Sequence, residues 1–231
     1  MDEPTATEIL EHLPYALTHI DGAIWACEFI AANPRTSMKI KVGGTPVAEH
    51  AGFFPLTNAL AETGLVCNRK VVEFLGIKLR RNEDVLYAVD GDRSGDDAGI
   101  EQIGGTRLNV EEYLTFGQGA PDVVRAACVH ALRSASKGVA HFTNTPNFKA
   151  HMKPTVLCLT TTLEAVEECA YRRTGREVPD YRVWSRWPTE PRAREQASTC
   201  PWPWTHVRKF LKRQGFNPAR PLGSCSWRGT R

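Results

Sequence analysis

No run of apolar residues in this 231-residue chain approaches the roughly 20 that a membrane-spanning helix needs. The sequence therefore predicts no membrane span. The opening stretch, MDEPTATEILEHL, is acidic and lacks the basic-then-apolar layout of a secretory leader. A cytoplasmic protein is the expectation. No Cys-x-x-Cys pair occurs, and the 7 cysteines are odd in number. Cys27, Cys67, Cys128, Cys158 and Cys169 fall inside apolar helical patterns, which points to buried thiols rather than a disulfide set or a zinc site. His130, His141, His151 and His206 do not combine with cysteine at metal-ligand spacing. There is no dinucleotide fingerprint, no P-loop, no Gly-x-Ser-x-Gly elbow and no internal repeat.

What is present divides in two. Hydrophobic residues make up 42% of the chain and charged residues 24%, which is ordinary for a globular protein. The net charge of +3 conceals an asymmetry. Residues 176–231 hold 12 Lys and Arg against 4 Asp and Glu, whereas residues 1–175 are mildly acidic. The same terminal stretch carries 7 of the 15 prolines and 5 of the 6 tryptophans. The boundary is placed at Gly175, giving a body of residues 1–175 and a basic Trp/Pro-rich tail of residues 176–231. Such a tail suits an anionic partner, because tryptophan stacks on bases and cations neutralise phosphate. Its tryptophans also suit docking back onto the body.

Hydrophobic periodicity predicts a mainly α fold. A first helix follows an N-cap at Thr5 or Thr7, is kinked at Pro14 and ends before Pro34. Residues 38–47 alternate and meet Gly43-Gly44, which suits a short β-hairpin. A second helix runs from about Leu56 to Leu79. Residues 91–109 read as a loop, and residues 105–121 as a turn-rich connector. A further helix starts after Pro121 and reaches about Lys137. A last one runs from Lys153-Pro154 to about Arg173. Together these make an antiparallel bundle of four to five helices with an irregular C-terminal tail.

The stretches EILEHLPYALTHIDGAIW, NALAETGLVCNRKVVEFLG, DVLYAVD and SKGVAHFT occur in that order over residues 8–172. The layout resembles uncharacterised bacterial helical proteins related to the HEPN superfamily. That resemblance implies a helical bundle, commonly a dimer, which in many members is a metal-independent ribonuclease of defence or toxin systems and in others is noncatalytic. The implied signature is Arg-Asn-x-x-x-His. His141 matches its histidine, the acid–base group near neutral pH. Ser136 and Lys137 stand where the arginine and asparagine belong. Arg133 and Lys137 are the substitute cations, and Asn68 with Arg69 on the second helix would complete a phosphate site. Arg125-x-x-x-x-His130 also fits the spacing loosely, but on a regular helix those residues point about 140° apart. The alternative is a noncatalytic module binding a protein partner or a small ligand. Arg69 then pairs with Glu62 or Glu73 on its own helix.

DGDRSGDDAGIE, Asp90 to Glu101, fits the calcium-loop formula. Asp90, Asp92, Ser94 and Glu101 would supply oxygens, with Asp96 beside them and Gly95 at the sharp turn. Asp97 stands where such loops carry an apolar residue, and Gly104-Gly105 interrupts the exiting helix. An acidic connector fits the same composition. Calcium is the one cofactor the sequence suggests.

Overall fold

The computed structural model describes residues 5–33, 38–42, 45–50, 54–80, 83–91, 97–138, 148–187 and 189. Among these, five α-helices pack together beside two short antiparallel hairpins. Helix α1 spans Ala6–Ala32. The Thr5 hydroxyl accepts the Glu8 amide while the Glu8 carboxylate accepts the Thr5 amide, a reciprocal cap that defines where the helix starts. Pro14 lies inside this one continuous helix. Strands β1 (Met38–Val42) and β2 (Thr45–His50) form the predicted hairpin, with its register shifting between Ile40 and Lys41.

Helix α2 (Phe54–Phe74) runs antiparallel to α1, and the two approach closely at Gly64. A Cβ there would fall 2.6 Å from the His19 carbonyl oxygen and against the Ala23 methyl group, so only glycine fits. The predicted second helix reached Leu79, but α2 stops at Phe74. Gly76 takes φ 96°, the left-handed region, and turns the chain out of the helix. Residues Ile77–Leu79 then form β3 and pair with β4 (Leu86–Ala88).

The predicted connector holds a helix as well. Asn109 caps α3 (Val110–Thr115) by accepting the Glu112 amide at 2.9 Å, and Tyr113 and Leu114 are buried. Helix α4 (Pro121–Arg133) starts on its proline and continues as a π turn over Ser134–Gly138. Helix α5 (Phe148–Val166) begins before the predicted Lys153-Pro154. Pro154 deletes one backbone donor in its second turn, while Met152, Thr155, Cys158 and Leu159 bury its inner face. A second π turn, Glu167–Arg172, closes it.

Leu17 and Ile20 from α1, Val72 and Leu75 from α2, Cys128 from α4 and Leu159 from α5 belong to one core. At its centre lies a polar node drawn from four helices. Asn68 donates to the Cys158 sulfur at 3.5 Å, Tyr113 and Thr162 share a hydroxyl contact of 2.8 Å, and Cys128 reaches the Tyr113 oxygen at 3.8 Å. The hydrogen bond shared with Cys128, together with burial, pushes the Cys158 thiol up, so it stays neutral.

Residues 176–187 lie along the bundle. The buried Asp21 carboxylate accepts the amides of Trp184 at 2.7 Å and Ser185 at 3.1 Å. The Trp184 ring packs on Trp25, with centroids 5.5 Å apart, and Trp187 joins the same cluster. Glu167 accepts from the Tyr181 hydroxyl, from Arg182 at 2.7 Å and from Arg172 at 2.8 Å. Burial pushes its carboxyl up, but these hydrogen bonds and the two guanidinium charges prevail and hold it below its ordinary value.

Candidate functional site

The residues expected to form a phosphate site are distributed by the fold over different surroundings. Asn68 has no exposed surface, and its amide faces Cys158 inside the polar node, so it offers nothing to a ligand in solvent. Arg69 is half exposed. It pairs with Glu73 at 2.8 Å on its own helix, the pairing anticipated for the noncatalytic alternative, and also donates to the Ser136 hydroxyl at 3.2 Å. Arg133 pairs with Asp84 in the link between β3 and β4. Lys137 lies in the π turn one residue past Ser136. His151 falls in the first turn of α5, whereas His141 and the tail past Thr189 lie outside the described residues.

Arg125 and His130, set about 140° apart by ideal helix geometry, nevertheless line one depression. It has a volume of about 380 Å³ on the outer side of α4 and is shared with Asp84, Asp122, Ala126, Val129 and Arg133. The length of the arginine side chain closes the angular gap. The cleft is balanced in charge: Arg133 meets Asp84, and Arg125 meets Glu111 at 2.6 Å.

In the proposed calcium loop, Asp92, Ser94 and Asp96 lie outside the described residues, whereas Asp90 and Glu101 are described. The Glu101 carboxylate accepts from Arg107 Nε at 2.7 Å. The same guanidinium donates to the Val89 carbonyl at 3.2 Å and the Gly91 carbonyl at 2.6 Å. Arg107 thus brings a positive charge to the oxygen set that a cation would draw on. Glu101 begins no long exiting helix, since the turn Ile100–Ile103 ends at Gly104. Among the described residues no three His, Cys, Asp or Glu side chains gather at metal-ligand distance.

The larger depression was not anticipated. It lies between the first half of α1 and the last turns of α2, and has a volume of about 490 Å³. Ile9, Leu13, Ala16, Val71 and Phe74 form an apolar floor, and Ala98 closes one side. Glu8, His12, Lys70, Glu73, Lys78 and Asp97 form a charged rim. Two of the carboxylates are engaged: Glu8 caps α1, and Glu73 holds Arg69. Hydrogen bonds from the Thr5 backbone and hydroxyl keep the Glu8 carboxyl below its ordinary value. Neither Lys70 nor Lys78 makes an ion pair among the described residues.

The chain matches no protein-family model, no curated protein and no solved structure. Among the described residues no helix is long and apolar enough to cross a membrane.

The signal for the groove was partly present in the sequence. Ile9, Leu13 and Ala16 follow helical spacing with Glu8 and His12 beside them. The contribution of α2, and of Lys78 on a strand not foreseen, depends on tertiary packing.

Proposed function

We propose that the chain is a helical binding module that takes a small, apolar-bodied ligand in the groove between α1 and α2. The observation that carries this reading is the groove itself, a depression of about 490 Å³ with an apolar floor and a rim of polar groups. Small-molecule sites have this size and this arrangement. The cations that would serve an RNA-cleaving site are by contrast engaged with carboxylates, as in Arg69–Glu73 and Arg133–Asp84.

Titration with Nile red, a neutral probe that fluoresces in apolar surroundings, tests the reading. The folded full chain is expected to bind it at one site. Ala16→Trp, which fills the floor, and Ala98→Trp, which narrows the groove from the opposite side, are each expected to abolish that signal while circular dichroism stays unchanged. Binding undiminished in two folded variants would reject the groove as the site.

A second reading is supported by the α4 cleft, where Arg125, His130 and Arg133 line one open surface. It is an RNA-binding or RNA-cleaving protein, here built on Arg125 and His130 rather than on the His141 set that the HEPN resemblance implies. Exposed ion pairs are worth only about 0–1 kcal/mol, so phosphate can displace Asp84 and Glu111. Its test is cleavage of a mixed RNA pool without metal. Loss of cutting in His130→Ala or His141→Ala would support it, and no cutting by the parent chain would remove the catalytic claim.

A further inference from the structure

We infer that the ligand of the α1–α2 groove is an anionic amphiphile, a carboxylate carried on an aliphatic or aromatic body. This rests on the groove being the binding site. The floor sets the body: Ile9, Leu13, Ala16, Val71 and Phe74 present hydrocarbon and no polar side-chain atom. The head group follows from which rim charges are already committed. Glu73 is neutralised by Arg69 at 2.8 Å. Glu8 accepts the Thr5 amide and hydroxyl at 2.9 and 2.8 Å, and it sits over the N-terminus of α1, where the helix dipole favours a negative charge.

The uncommitted groups are then Lys70, Lys78 and Asp97, two cations against one carboxylate. Lys70 comes from α2 and Lys78 from β3, so the two ammonium groups stand on separate elements of the rim. Each carries a flexible, strongly hydrated point charge suited to a single carboxylate at the groove mouth. A cationic head would meet two lysines, with Asp97 the one uncommitted carboxylate to hold it. A neutral head could accept hydrogen bonds from them but would bring no opposite charge.

The test displaces Nile red from the full chain with decanoate and, separately, with decyltrimethylammonium, both below their micelle concentrations. The two probes share a body and differ in the sign of the head. Decanoate is expected to displace the dye at the lower concentration. The Lys70→Gln, Lys78→Gln double variant is expected to weaken decanoate roughly fivefold, the size two exposed charge pairs supply. The Nile red affinity of the same variant is titrated alongside so that displacement is compared at equal dye occupancy, and decyltrimethylammonium is expected to improve relative to decanoate. If both amphiphiles compete equally in the parent and the double variant, the groove stands as a site and the anionic head is overturned. If Nile red binds but neither amphiphile displaces it, the anionic class is likewise overturned. If Nile red itself does not bind, the groove reading fails first.

Discussion

Gly64→Ala is expected to destabilise the protein by about 2 kcal/mol, although in an open helix the same change would stabilise it. Alanine is favoured over glycine inside a helix by about 1 kcal/mol. Gly64 lies within α2, so propensity alone predicts a gain. The opposing effect is steric. The new methyl group would stand 2.6 Å from the His19 carbonyl oxygen and against the Ala23 methyl, and neither is the end of a flexible side chain. Forcing α1 and α2 apart costs on the order of 3 kcal/mol, and that term decides the sign. Urea unfolding of the variant measures it. Ala23→Gly in the Gly64→Ala background removes one of the two obstacles and is expected to recover part of the loss, a coupling that independent sites do not show. A raised midpoint in Gly64→Ala would mean that the helices stand further apart than described.

Asp21→Ala is expected to cost about 3 kcal/mol, because two hydrogen bonds to a buried charged acceptor are lost together. Asp21 is 1% exposed, and its carboxylate holds the amides of Trp184 and Ser185. Deleting it leaves both donors against an apolar wall and loosens Trp184 from Trp25. The loss is therefore expected to have a local signature as well as a global one. Tryptophan emission should shift to the red, and trypsin should cut faster after Arg182 and Arg186. Asp21→Asn retains one acceptor oxygen and is expected to fall between parent and alanine variant. Parent-like emission and proteolysis in a folded Asp21→Ala protein would show that residues 184–185 are held by other contacts.

The α1 boundary was legible because it is written locally: Thr5 and Glu8 stand three residues apart ahead of an apolar run, the pattern of a reciprocal cap. The start of α4 on Pro121 was legible for the same reason. The end of α2 was misjudged because Ile77 and Leu79 continue the apolar spacing, while the backbone freedom of Gly76 and pairing with Leu86–Ala88 take them into a strand. Helix α3 is hard to read from sequence because six residues carry too little periodicity, although Asn109 ahead of two glutamates is a cap signal. At the candidate sites the sequence names chemical types but not their surroundings. Nothing local distinguishes Asn68, fully buried against a thiol, from Arg69 beside it in partial contact with solvent. The groove depends on α1, α2, β3 and the segment around Asp97 meeting in space, and no window of sequence contains all four.

The anchoring of Trp184 by Asp21 also sets an order of events during synthesis. The acceptor is translated 163 residues before its donor. At about 5–20 residues per second, that interval lasts roughly ten to thirty seconds. Helices α1 and α2 are near neighbours in sequence and can pair early in that interval, because closing a short connection costs little entropy. Leu60 of α2 packs on Trp25 and Phe29 early, but the part of that surface that Trp184 and Trp187 cover stays open until they arrive. A ribosome that stalls before codon 184 would therefore release a product with paired helices and a bare aromatic patch, the kind of surface that holdase chaperones retain and that drives truncated chains to associate.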